Sequence, residues 1–166
     1  MRLPAIFVLI CTGILNAQNQ WDALSFLEGT WDGATKAQAS GVHANGTYIF
    51  RKEMGGHVLA RHTSAAGCKG PADFNCEHSD LLYIYQDTRD QPLKAIYFDN
   101  EGHVIHYNIA TTSDSALLIS DDPGPQFRLT YELKEGVMSG KFQMKPPRQA
   151  EFKSYLEWSG GKSSSR

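Results

Sequence analysis

The chain has 166 residues, of which 41% are hydrophobic and 20% charged, with a formal net charge of −2. That mild charge, spread without a basic stripe, argues against a nucleic-acid partner and against electrostatic binding to an anionic membrane. The length suits one domain that buries roughly 70% of its unfolded surface, so a core does not require disulfides.

The first residues have the pattern of a secretory signal peptide, which we place at 1–17. Arg2 supplies the positive start, residues 6–15 form the apolar run, and Ala17 closes a small-residue cleavage site. The run is too short to span a membrane. We expect a secreted or periplasmic protein cleaved near Ala17, without a membrane span, and monomeric or weakly oligomeric. A single domain is expected over 18–159 and a disordered tail over 160–166.

Alternating apolar and polar residues dominate the chain after a short predicted helix at 21–28. Ten strands are predicted near 29–35, 43–53, 57–65, 80–87, 92–98, 103–112, 115–120, 126–134, 137–145 and 150–158. Because no helical crossovers separate them, consecutive strands should pair antiparallel. A meander of this length normally closes, so the predicted fold class is all-β: an up-and-down barrel of about ten strands with a short N-terminal helix.

Turn residues fix the register of the later hairpins. Glu135-Gly136 suits a two-residue loop that pairs Leu133 with Met138, and 100–102 suits a three-residue loop with Gly102 in the left-handed region. The apolar alternations on both sides of residues 135–136 agree in phase, which predicts one dry and one wet face. The last strand is expected to direct these side chains inward: Phe152, Ser154, Leu156 and Trp158.

Cys68 and Cys76 enclose a segment containing Gly, Pro and Asn, CKGPADFNC. An exported protein folds in an oxidising compartment, so the two cysteines are predicted to form a disulfide across this loop. A metal pair would need closer spacing and more ligands.

The stretch FLEGTWDG at 26–33, together with GGHVL at 55–59, resembles the calycin-type barrels, which include lipocalins and fatty-acid-binding proteins. The arrangement is most similar to an uncharacterised bacterial lipocalin-like family. The resemblance implies that Gly29 and Trp31 are structural, with Trp31 closing one end of the barrel beneath the helix. The haem-binding nitrobindins open similarly, but their proximal histidine has no counterpart because no His follows His106. No cofactor is predicted, and haem is kept as a minor alternative.

Tyrosines and one arginine are the candidate ligand contacts. A two-residue loop at Gly55-Gly56 would place Arg61 opposite Phe50 on the apolar face, where a buried charge needs an internal carboxylate or an anionic ligand. A one-residue register slip would instead place Arg61 in solvent. Inward tyrosines would line a cavity, or simply pack a core. The predicted ligand-binding residues are Tyr48, Phe50, His57, Arg61, Tyr83, Tyr85, Tyr97, His103, Tyr107 and Tyr131, with only Tyr155 expected to point outward.

The function predicted from these residues is the binding of a small hydrophobic or amphipathic ligand inside the barrel, with a carboxylate as one option for its polar end. No catalytic residue and no metal site is predicted, because the sequence has no nucleophile motif and no HxH or HExxH spacing. Two alternatives stay open. The first is an enzyme on the same barrel, which an inward carboxylate beside Arg61 would favour, and the second is a filled barrel that contacts another protein through the 68–76 loop.

Overall fold

The computed structural model of the chain describes residues 20–36, 41–72, 74–89, 91–121 and 124–164. The predicted signal peptide at 1–17 and its cleavage site lie outside the described residues. In the part of the chain that is described, no helix has the length and apolar character needed to cross a membrane.

A short helical segment precedes ten strands. Helix α1 spans Gln20–Ala23 and is followed by a 3₁₀ turn at Ser25–Leu27. The strands are β1 Gly29–Thr35, β2 His43–Glu53, β3 Val58–Lys69, β4 Asp80–Tyr85, β5 Lys94–Asp99, β6 Val104–Thr111, β7 Ser115–Ser120, β8 Gln126–Lys134, β9 Val137–Lys145 and β10 Lys153–Lys162. Each strand pairs antiparallel with the next, and β1 pairs with β10 to close the barrel. The predicted fold class is confirmed.

The turn chemistry sets the register as predicted. Glu135 and Gly136 both have positive φ, 52° and 78°, and they join β8 to β9 with Leu133 opposite Met138. A short 3₁₀ turn at Met54–Gly56 joins β2 to β3 and places Arg61 opposite Phe50. Arg61 is only 4% exposed, so its side chain lies inside the barrel and the register slip is excluded.

One end of the barrel is closed by Trp31 and the helical segment. The Trp31 side chain is 2% exposed, and its indole N–H donates to the carbonyl of Leu27 at 2.8 Å. Helix α1 is held over this end because the Trp21 indole N–H donates to the Gln86 side chain at 2.9 Å. Trp31 therefore fills the barrel end, as its predicted structural role requires.

The last strand departs from the prediction in two ways. A β-bulge between Ser154 and Leu156 reverses the inward and outward phase, so Leu156 and Trp158 face the interior. Phe152 lies outside, under the guanidinium of Arg128 at 4.2 Å, and Ser154 bonds to Glu157 at the surface. The strand also continues through Lys162 to pair with β1, so the predicted disordered tail is wrong for residues 160–162.

Candidate functional site

The barrel interior contains a cavity of about 410 Å³ that opens at the end opposite Trp31. Its rim is formed by the β3–β4 connection, which carries Phe74 and Asn75, and by the β5–β6 turn, which carries Glu101. Cys68 and Cys76 form a disulfide across the β3–β4 connection, as predicted. The interior is therefore packed at the closed end and hollow at the open end, which argues against a completely filled barrel.

A buried ion pair forms the polar base of the cavity. Arg61 donates from Nη2 to Asp80 Oδ1 at 2.6 Å, and the two side chains are 5% and 14% exposed. Arg61 also donates from Nη1 to the hydroxyl of Tyr131, and Thr63 donates to Asp80 Oδ1 at 2.6 Å. The Arg61 Nε–H, also buried, finds no acceptor among the described residues. Of the two alternatives posed by a buried arginine, the internal carboxylate is the one present.

The pair holds both groups in their charged forms. Burial disfavours ionisation of each and is the largest single influence on Arg61, but the charges and hydrogen bonds of Asp80 and Tyr131 together outweigh it and raise the pKa of Arg61. Likewise, the Arg61 charge and the bonds from His78 and Thr63 outweigh burial and hold the pKa of Asp80 well below its usual range. The base of the cavity thus contains a compensated pair of fixed charges.

His78 connects this pair to the rim. Its Nε2 lies 3.5 Å from Asp80 Oδ2 and 3.1 Å from the Tyr97 hydroxyl, while Nδ1 lies 3.0 Å from Glu101 Oε1. The hydrogen bond with Asp80 is the largest cause that raises the pKa of His78 to about 9, burial opposes it, and Glu101 adds to it. Asn75 donates to the same Glu101 oxygen at 3.0 Å, which ties the disulfide loop to the β5–β6 turn.

Asp99 holds the β5–β6 turn in shape. Its Oδ1 accepts the backbone N–H groups of Glu101 and His103, at 3.0 and 2.9 Å. Its Oδ2 accepts the Tyr97 hydroxyl at 3.2 Å and lies 2.9 Å from His103 Nδ1. Burial raises the pKa of Asp99, but the bonds from His103 and Glu101 outweigh it and lower the pKa overall.

The opposite wall is apolar and aromatic. The rings of Tyr48 and Trp158 stack with centroids 3.9 Å apart, and those of Phe127 and Phe142 lie nearly parallel at 5.8 Å. Glycine at position 140 is required here, because a Cβ would overlap the indole of Trp158. One side of the cavity therefore offers charged and hydroxyl groups, and the other side offers ring faces.

The structure places part of the predicted set at this cavity. Five of the predicted ligand-binding residues line the cavity: Tyr48, Arg61, Tyr97, His103 and Tyr107. Phe50 and Tyr131 lie deeper in the packed core, in an edge-to-face contact with centroids 5.4 Å apart. Their inward positions agree with the predicted register, and their roles in ligand binding stay predictions.

Three predicted positions are wrong. Leu82 and Ile84 are the buried residues of β4, so Tyr83 and Tyr85 alternate onto the outer face. The segment LLYIY is apolar at every position, so its alternation could not be phased from sequence. His57 lies exposed in the β2–β3 turn at the closed end, and it does not line the cavity.

Tyr155 differs from its prediction as well. It is 57% exposed, but the bulge turns it toward the opening of the cavity, where its ring meets Phe142 edge-on at 6.0 Å.

The sequence reasoning missed Asp80 and His78. Asp80 is the first residue of β4, whose inward face could not be determined from its pattern, and His78 lies two residues before the strand, in a segment that the sequence describes only as a turn. The available signal was Arg61 itself, since a buried arginine requires a carboxylate nearby. Among the described residues, no group of three or more His, Cys, Asp or Glu side chains is arranged to hold a metal ion.

No protein-family model and no curated protein sequence matches the chain. The closed ten-strand antiparallel barrel fits a calycin-like architecture at the coarse level.

Proposed function

We propose that the protein is exported and that its barrel binds a small hydrophobic or amphipathic molecule in the open end. The observation that carries the proposal is the two-sided cavity, in which an aromatic wall of Trp158 and Phe142 faces a polar wall of Arg61 and Tyr97. Small-molecule sites are typically concave, mostly apolar and oriented by a few polar groups. The Cys68–Cys76 disulfide supports export into an oxidising compartment.

The resemblance of residues 26–33 to lipocalins, fatty-acid-binding proteins and their bacterial relatives supports a binding role for this barrel. A fatty-acid mode, in which Arg61 would bind the ligand carboxylate, is not proposed, because Asp80 already compensates the charge of Arg61. Haem is not proposed either. Of the two histidines among the described cavity residues, His78 has both ring nitrogens engaged with Asp80, Tyr97 and Glu101, and His103 stands at the rim with its side chain 60% exposed, so neither offers a buried axial nitrogen.

The test uses octan-1-ol, a neutral amphiphile, and isothermal titration calorimetry. We expect saturable one-to-one binding to the native chain and loss of binding in Leu156→Trp, because the added indole would fill the cavity. The control is Ile119→Trp, which adds the same group on the outer face of β7, outside the cavity lining. No binding to the native chain, or equal binding to Leu156→Trp, would contradict the proposal.

A second candidate is an enzyme on the same barrel, favoured by the carboxylate of Asp80 beside Arg61. His78 and Tyr97 add two acid–base groups within 3.1 Å of each other on the same wall. The test incubates small-molecule extracts of the host with the native chain, with His78→Gln and with Tyr97→Phe. Compounds that are consumed only by the native chain, detected by mass spectrometry, would support catalysis, and an unchanged profile would contradict it.

A further inference from the structure

The charged groups around the cavity set the chemistry of the ligand's polar end. The side chains that line it include three carboxylates, Asp80, Asp99 and Glu101, and one arginine, Arg61. The remaining ionisable cations among the described lining residues are the two histidines, His78 and His103, and there is no lysine. With both histidines neutral the lining charge is one minus three, or −2. With His78 protonated, as its raised pKa of about 9 favours at pH 7, it is two minus three, or −1, and with both protonated it is three minus three, or zero.

The described part of the lining therefore has no net positive charge at any protonation state of its histidines. A ligand carboxylate entering this space would meet Glu101 at the rim and Asp99 just beneath it, without a free cation among the described lining residues to compensate it. Arg61 does not fill that role, because it lies at the base of the cavity, 5% exposed, and donates to Asp80 and Tyr131.

The charged rim and the aromatic interior of the cavity also suggest where the two ends of a ligand would lie. Glu101 and His103 stand at the rim, with side chains 40% and 60% exposed, and Asp99 lies just beneath them at 4%. The aromatic side chains of Trp158, Phe127 and Phe142 line the cavity, and an aromatic ring attracts a cation through the negative face of its quadrupole and offers no such attraction to an anion. A hydrocarbon chain or ring fits inside, with its head at the acidic rim.

From this arrangement we infer that the ligand is a cationic amphiphile, an alkyl or aryl amine whose ammonium group sits at the rim beside Glu101. Asn75 and His78 both bond to Glu101 Oε1, so Oε2 is left without a partner among the described residues. Asp99, whose two oxygens are bonded to Tyr97, His103 and the turn backbone, contributes its charge from beneath. The inference rests on the proposed binding function and narrows it to one class of head group.

The experiment compares three probes that share an eight-carbon chain: octylamine, octan-1-ol and sodium octanoate, titrated into the native chain at pH 7 in low salt. We expect octylamine to bind at least tenfold more tightly than octanoate, with octanol between them. Raising the salt should narrow the difference, because the rim is partly exposed and its charges are screened. Octanoate binding as tightly as octylamine, or more tightly, would overturn the inference while leaving the binding function standing. Binding of none of the three would overturn both.

Variants of the rim give an independent measurement. Glu101→Gln removes one charge and should reduce the preference for octylamine several-fold. Asp99→Asn combined with Glu101→Gln changes the lining charge to between zero and +2, and should abolish or reverse the preference. Glu132→Gln, an exposed carboxylate of β8 outside the cavity lining, is the matched control and should leave the preference unchanged. Because Asp99 also holds the β5–β6 turn, Glu101→Gln alone decides the question if the double variant does not fold; an unchanged preference in Glu101→Gln would overturn the inference.

Discussion

Removing the charge of Asp80 should be among the most destabilising conservative changes available in this barrel. Asp80→Asn keeps the size and one acceptor oxygen but leaves the Arg61 guanidinium buried without a counter-charge. The remaining hydrogen-bond partners of Arg61 are then neutral, the amide oxygen of the new Asn and the hydroxyl of Tyr131, and the Arg61 Nε–H finds no acceptor among the described residues. Breaking a buried ion pair on one side costs about 3 kcal/mol or more, so we expect the free energy of unfolding to fall by about that amount.

The opposite change should cost less, because the two partners are supported unequally. Arg61→Met leaves Asp80 with the Thr63 hydroxyl at 2.6 Å and the His78 ring at 3.5 Å, so its charge stays partly compensated. We expect a loss of about 2 kcal/mol, the scale of a hydrogen bond to a charged group. The double variant, Asp80→Asn with Arg61→Met, removes both charges, and its free energy of unfolding should lie within about 1 kcal/mol of that of the native chain.

Urea unfolding followed by tyrosine and tryptophan fluorescence measures all three variants by linear extrapolation. The surface pair Glu28–Lys52, whose side chains are 35% and 40% exposed, supplies the control, and Glu28→Gln should cost no more than about 1 kcal/mol. An Asp80→Asn variant that costs no more than this control would show that Arg61 does not depend on Asp80 for its counter-charge. A double variant that loses the sum of the two single losses would contradict the pairing as well, since that additivity would mean that Arg61 and Asp80 do not interact.

Three further predictions concern other parts of the site. The folded chain holds His78 protonated with a pKa of about 9, above about 6.5 in an unfolded chain, so its stabilisation is complete below pH 6.5 and is lost as the pH rises through 9. Between these two pH values the native chain should therefore lose more stability than His78→Gln. The difference should be no more than about 1 kcal/mol, because the ring is partly exposed and its charge is screened. Equal shifts of the urea midpoint in the two proteins would contradict this. Gly140→Ala should lower the free energy of unfolding by about 1–3 kcal/mol, the range for an overpacked interior, because the added methyl group overlaps Trp158. The control is Gly161→Ala, whose methyl group meets no atom within 4 Å and which should lose much less stability. Replacing Cys68 and Cys76 with serine should lower the free energy of unfolding by about 2.5 kcal/mol, the chain-entropy value for a loop of this length, and an unfolding midpoint in urea equal to that of the native chain would show that the 68–76 loop needs no cross-link.

The barrel was predictable from sequence because its signals are local and repeated. The pair Glu135-Gly136 selects a hairpin loop, and the alternation on both sides of it fixes which residues face inward. The same logic placed Arg61 opposite Phe50 from the glycines of the preceding turn.

The predicted strand faces are wrong where the pattern of apolar and polar residues does not distinguish the two faces, or where it shifts by one residue. In β4 both faces bear large apolar side chains, so Tyr83 could not be distinguished from Leu82 as the inward residue. In β10 a bulge inserts one residue at Tyr155 and reverses the phase of everything before it, and no residue type in that segment demands a bulge.

The polar side of the cavity could be predicted only indirectly, because a buried Arg61 needs a compensating carboxylate or an anionic ligand. Arg61 required a carboxylate, but sequence distance says nothing about which one, and Asp80 lies 19 positions away on the neighbouring strand. The contact of His78 with Glu101 depends on how the disulfide loop folds over the rim, which is set by long-range packing that a sequence pattern does not report.

The central claim is that a small amphipathic molecule binds inside the open end of the barrel, and the tryptophan side chains report on it directly. In a ¹⁵N-labelled sample titrated with octan-1-ol, the indole N–H signal of Trp158, which lines the cavity, should shift saturably. The signals of Trp21 and Trp31, which bond to Gln86 and Leu27 at the closed end, should stay in place. An unmoved Trp158 signal, or equal shifts of all three indoles, would contradict the account.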